Sequence, residues 1–249
     1  MSNITIEQML SRRSVREFTD SHVSESDLEL IIQAAQQAPS SINGQQVSLV
    51  VIRNKERIKK IAEIAGGQPQ VAGADVFIAI VVDYYRTSYA MSLESEQHII
   101  EQSAEGIVVG AVDAGIMLNA LQTAANSLGY GSTAIGGIRR DPKAMVELLN
   151  LPQKTFPIVG MTLGVSKENN QAQVKPRVAI ESFAMMENYD TKSIEKGVND
   201  YEKTLRQWWD NQNLTQMPSY SKSVSGFYKS IYFPNVASIL LKQGFDFEK

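Results

Sequence analysis

From Ser103 to Leu128 the chain has no proline and is apolar on nearly every side. A helix of that kind cannot lie on a wet surface, so it belongs in the middle of a core or at a subunit interface. The rest of the chain must therefore be long enough to cover it. At 249 residues, 43% apolar and 20% charged, it is, as one large soluble globular domain or two modest ones. The longest apolar run, Gly106–Leu121, is broken by Asp113 and Asn119 and is expected to fall short of a membrane span.

Around this helix the pattern alternates. Thr5-x-x-Gln8 reads as a capping box opening a short helix, and Ser24-x-x-Asp27 opens a second with Leu28, Ile31, Ile32 and Ala35 on one face. Val47–Arg53 is a strand apolar enough to be central. Ile58, Ile61, Ala62 and Ala65 mark a helix stopped by Gly66-Gly67, and Val76–Val82 is a strand expected to be buried on both faces. After the long helix come a short strand at Ser132–Ile135, a helix capped by Asp141-Pro142, and a buried strand at Phe156–Val165. Beyond it, Ser166–Val178 is polar and irregular. Ile194, Val198, Tyr201, Leu205, Trp208 and Trp209 line a helix, Asp210–Ser225 is polar and expected to be mobile, and a last helix runs from Pro234 to Gly244. About four strands and a dominant helix make an α/β mixture.

Charge sharpens the picture. A net charge of -3 argues against a general nucleic-acid binder, so any positive site must be local. Such a cluster exists: Arg12, Arg13 and Arg16, with Ser14 among them. Extended, this stretch points Arg12, Ser14 and Arg16 to one side, a set that suits a phosphate ester; a solvated basic turn is the other reading. The loop at 39–46 (PSSINGQQ) is dense in donors and acceptors, which turn chemistry alone also explains. The stretch 129–139 (GYGSTAIGGIR) lets backbone lie against a planar ligand, and 175–177 (KPR) is a second basic patch. No cysteine is present, which removes disulfides, thiolate nucleophiles and cysteine-held metals. His22 and His98 lack metal-ligand spacing and are expected on the surface or on helices. No phosphate-loop lysine or dinucleotide fingerprint occurs. The N-terminal ten residues do not read as a secretory signal, so a cytoplasmic setting with no membrane partner is expected.

In this order the motifs RRSxRxF, APSSxNxQ, Ala65-Gly66-Gly67-Gln68, LGYGSxxIGGIR and KPR resemble the FMN-dependent nitroreductase/flavin reductase family, in its larger NADPH-preferring branch with a C-terminal extension. The resemblance runs from about Ile4 to Arg177 and continues more weakly to the end. It implies an α+β fold with a mixed central sheet flanked by helices, a core over 1–178, and an extension over 179–249 that wraps the partner of a homodimer and is no independent domain.

The resemblance also implies roles. Arg12, Arg13, Ser14, Lys175 and Arg177 would hold the FMN phosphate. Arg16 would lie by the pyrimidine end of the ring, where a cation favours the reduced flavin. Ser40, Ser41 and Asn43 would reach the cofactor from the partner subunit, Gln68 would bond the polar edge of the ring, and Ile135, Gly136 and Gly137 would lie along one face. The implied activity is hydride transfer from NADPH or NADH through the flavin to nitroaromatics, quinones or free flavin, in ping-pong order and without a protein nucleophile. A flavin store or sensor is the alternative. One departure bears on NADPH: Asp210–Ser225 holds only Lys222, with Arg206 upstream, where the branch carries arginines for the 2′-phosphate. Trp208 and Trp209 are read as packing of the extension in preference to a stacking platform.

Overall fold

The computed structural model describes residues 3–167 and 173–246, so the polar stretch expected at Ser166–Val178 falls partly outside it, as does the start of the N-terminal segment. The described residues form two compact units. One comprises the chain up to residue 167 together with 233–246, the other 173–232.

The first unit runs α1 (Ile4–Ser11), α2 (Glu25–Gln36), β1 (Val47–Ile52), α3 (Lys55–Ile64), α4 (Pro69–Ala72), β2 (Val76–Asp83), α5 (Tyr84–Ser92), α6 (Ala104–Ser127), β3 (Gly131–Ile135), α7 (Pro142–Leu149) and β4 (Thr155–Gly164). The second holds α8 (Thr191–Asn211) and α9 (Tyr220–Tyr228), and α10 (Val236–Lys242) belongs to the first again. The α+β class and the long central helix are as expected. Helix α1 begins earlier than the capping box suggests: Asn3 is its cap, its side chain accepting from Ile6 N–H at 3.0 Å. Asparagine caps as well as threonine, and it stands first. Ser24 and Asp141 cap α2 and α7 as expected, accepting from Asp27 and Ala144 N–H. Helix α5 was not foreseen; Asp83, the last residue of β2, caps it from Arg86 N–H.

Among the described residues the strands lie in the order β1-β2-β4-β3 with antiparallel pairing throughout, in place of the mixed sheet expected. Strand β1 is at an edge, contrary to the central place its apolar sequence suggests. Its apolar character comes from cover on both faces, with Val47 and Leu49 packed to one core and Val50 and Ile52 to the other. Strand β2 is central and shows the period of two: Val76, Ile78 and Ile80 face α2 and α6, whereas Phe77 and Ala79 face α3, α4 and α7. The long helix α6 packs Ala114, Leu121 and Ala125 against the sheet, while Val108 and Val112 on its outer side are about half exposed. It spans 24 residues, close to the Ser103–Leu128 expected; by length and composition alone it could cross a membrane, a test that the core helix of a soluble protein also passes.

His98 is also corrected. It is buried, its Nδ1 paired with the Glu101 carboxylate and its Nε2 2.8 Å from Thr87 Oγ1. Lys154 Nζ sits 2.6 Å from the other Glu101 oxygen. Burial pushes the Glu101 carboxyl up, but the bonds from Lys154, its own backbone N–H and His98 outweigh that and hold it low. In the second unit the mobile stretch expected at Asp210–Ser225 is partly helical. Ser219 caps α9 from Lys222 N–H, and Glu202 on α8 accepts from the N–H groups of Tyr220 and Ser221.

Candidate cofactor site

The arginine segment hangs on the free edge of the sheet. Val15 N–H donates to Ser132 O at 3.0 Å, and Thr133 Oγ1 donates back to Val15 O at 2.5 Å. Phe18 bridges to Ser166, and Thr19 N–H reaches Val165 O at 2.8 Å, so the segment passes from β3 to the end of β4. Val15 is buried against Gly131, where an added Cβ would lie 2.7 Å from Val15 Cγ1. With Val15 turned inward, the neighbouring Ser14 and Arg16 stay at least partly open to solvent. Among the described residues the Arg12 and Arg16 side chains have no ion-pair or hydrogen-bond partner.

At the other end of β3 the chain turns through Gly136–Arg140 as a 3-10 helix. Gly137 is where Gln68 passes closest: an added Cβ would sit 2.6 Å from Gln68 Nε2 and 2.9 Å from Ala65 O. Gln68 is delivered there by Gly66 and Gly67, at φ +90 and +74, and its amide donates to Ala65 O and accepts from Gln70. One N–H and one lone pair of that amide remain for a ligand. Ser132 and Ile135 are three residues apart, about 10 Å along an extended strand. The cations thus stand at one end of a short strand and the Gln68–Gly137 pair at the other. This donor set fits FMN, an elongated molecule with a dianion at one end and a flat polar ring at the other.

Ser40, Ser41 and Asn43 sit elsewhere, over α6. Asp113, 5% exposed in the middle of that helix, accepts from Ser41 N–H at 3.2 Å and from Gln46 Nε2 at 2.5 Å. The loop it holds has three non-glycine residues at positive φ, Ile42 at 51°, Asn43 at 54° and Gln45 at 52°. It borders an open, largely apolar recess of about 680 Å³ whose far wall includes Tyr84, Met91 and Ile100. Burial first, then the Asp113 and Glu105 carboxylates, push the Tyr84 phenol up to about 12, so it stays a neutral donor to Gly106 O. Motif reading did not single out Asp113 as the residue that restrains this loop; its signal is a lone acid inside the apolar run.

Lys175 and Arg177 lie in the second unit. Lys175 Nζ is 4.5 Å over the Trp209 ring, Tyr201 OH donates to Pro176 O at 3.0 Å, and Arg177 Nη1 donates to the carbonyls of Lys175 and Pro176. Trp209 and Tyr201 on α8 therefore hold this basic patch, and the two indoles pack edge-on at 4.7 Å. Arg206 is spent locally, on Met217 O, Leu214 O and the Asp210 carboxylate at 2.9 Å.

Comparison with known proteins gives the family. The Nitroreductase family profile matches residues 9–165, and the profile of the Nitroreductase family C-terminal domain matches 175–248. The FMN reductase (NAD(P)H) of Bacillus subtilis (strain 168) is 37% identical over 99% of this chain and all of its own length. The NADPH-flavin oxidoreductase of Vibrio harveyi is 30% identical over 97% of this chain and 98% of its own. Among solved structures, B. megaterium NfrA2 superposes with a TM-score of 0.95 at 39% identity, with both chains fully covered. Matched from the arginine segment to the tail, in sequence and in fold alike, the chain belongs to the nitroreductase family.

Proposed function

We propose that this protein is an FMN-dependent oxidoreductase that takes hydride from NADPH or NADH and passes it to nitroaromatics, quinones or free flavin, in ping-pong order. The observation that carries it is the pair of guanidinium groups, Arg12 and Arg16, without partners among the described residues, beside the strand that ends in the Gln68–Gly137 contact. In a chain of net charge -3, such cations are best explained by an anionic ligand. Bound FMN supplies the redox chemistry, and the chain binds, orients and tunes it. Arg12, Arg13, Ser14, Lys175 and Arg177 are assigned to the phosphate, and Arg16 to the pyrimidine end of the ring. Gln68, Ile135, Gly136 and Gly137 are assigned to the ring, and Ser40, Ser41 and Asn43 to the cofactor of a partner subunit.

By the same reading the protein is a cytoplasmic homodimer, with residues 1–178 and the returning 233–246 as cofactor core and the extension between them wrapping the partner and shaping the acceptor side. Because Arg206 is engaged within its own unit, only Lys222 is left in that stretch for a 2′-phosphate, which favours use of NADH alongside NADPH. The test is the visible spectrum of the purified protein, titrated without air by NADPH and NADH in parallel and then exposed to a quinone. Bleaching by both and recolouring by the quinone is expected. A colourless preparation that refuses added FMN would end this reading. Arg12→Ala should weaken FMN by about 1.5–3 kcal/mol. Arg16→Ala should instead lower the flavin potential while retaining the cofactor.

A further inference from the structure

We infer that Asp113 is a positioning residue: its buried carboxylate sets the left-handed shape of the 40–46 loop and so presents Ser40, Ser41 and Asn43 to the cofactor. The inference rests on the assignment of that loop to FMN and adds what governs it.

A carboxylate in an apolar helix is unfavourable unless its oxygens are satisfied. Among the described residues, those of Asp113 are met by two donors from one loop, the Ser41 amide and the Gln46 side chain, with no lysine or arginine paired to them. Helix α6 needs nothing polar at this position; an alanine or leucine would serve its packing against the sheet. What needs the acid is the loop. Ile42 and Gln45 occupy a region that costs such residues about 1–2 kcal/mol each, and Asn43, a residue that tolerates it better, lies there with them. Such strain persists only where the surroundings over-determine it. The loop's exit is also tied by Asp83 N–H to Gln46 O at 2.9 Å, and Asp113 pins the loop's start to that exit through the Ser41 amide and the Gln46 side chain. Ser40 Oγ, accepting from Gln45 N–H at 3.1 Å, closes the turn without touching the helix. Ile42 is consequently driven outward and is 96% exposed, an unusual place for a branched apolar side chain unless the loop's shape matters more than its contacts.

The test uses the full chain and two readouts. One is hydrogen exchange at the Ser41 amide; the other is the FMN dissociation constant of protein stripped of flavin. Asp113→Leu should accelerate exchange at Ser41 and weaken FMN about tenfold. Asp113→Asn keeps an oxygen for Ser41 and lets the Gln46 amide turn over, so it should recover most of both, a rescue that mere packing would not give. Where Asp113→Leu does not fold, Gln46→Leu removes one of the two donors and carries the same readouts. Exchange at Ser41 as slow as in the unaltered protein would overturn the anchoring. Faster exchange with unchanged FMN binding would overturn the positioning role, and Asn43→Ala then separates the causes. If Asn43→Ala weakens FMN, the loop's assignment stands and only Asp113 is dismissed; if it does not, that assignment falls as well.

Discussion

Two of the segments assigned to the cofactor within the first unit, residues 12–19 and 40–46, are held in opposite ways. Residues 12–19 take their shape from the sheet: backbone bonds to Ser132 and Val165 fix their course, and the side chains are left over for a ligand. Residues 40–46 take theirs from one acid some seventy positions away, against the preferences of their own backbone. The first is shape propagated from regular structure; the second is shape imposed by a side chain. Damage to a neighbour's bulk should therefore harm the first, whereas the second should respond to the removal of a charge or of strain.

The largest effect is expected at Gly131. Gly131→Ala drives a Cβ into Val15 and should lift the arginine segment off β3, lowering stability by about 3 kcal/mol, as overpacking does. Chemical denaturation measures it, and a loss under 0.5 kcal/mol would break the picture of a segment moulded on the strand.

A smaller effect is expected at Asp75, which accepts from Val23 N–H at 2.9 Å and meets His22 Nδ1 at 2.7 Å, where the segment leaves the sheet. Burial pushes its carboxyl up, but the bonds from His22, Val23 and Lys55 outweigh that, so the folded group lies below its ordinary value. Its contribution is then complete above the usual carboxylate range and fades as pH falls through the lowered value. Asp75→Asn should lose about 1.5 kcal/mol at neutral pH and flatten the acid limb of the stability profile. An unchanged acid limb would assign that loss to other carboxylates.

The smallest effect has the opposite sign. Ile42→Gly relieves the left-handed strain and should stabilise the fold by up to about 1 kcal/mol. A destabilisation would show that the outward side chain has contacts worth more than the strain.

The same contrast explains what could be read from the chain. Helices α2, α3, α6, α7, α8 and α10, the four strands and the caps at Ser24 and Asp141 follow from local spacing, and the arginine segment is legible because its motif is contiguous. What escaped was set by distant partners. The edge position of β1 depends on strand order, which burial pattern does not encode. His98 looked like a surface residue because Glu101, Thr87 and Lys154 come together only on folding. Asp113 reads as a flaw in an apolar run until the loop it restrains lies over it, and although Trp209 packs with Tyr201 and Leu205 as expected, nothing local in the sequence pairs its face with Lys175.

The return of the chain to its starting unit has a practical consequence. Phe245 has no exposed surface and, with Ile239 and Leu240, packs on Val82, Tyr84 and Phe156. Residues 173–232 are thus a parenthesis in the polypeptide, spliced in at two points. A stop codon placed after 178 would not isolate the core but tear out its last wedge. A minimal version must instead delete the parenthesis and suture its ends, and such a graft is also the way to swap one relative's insert for another's.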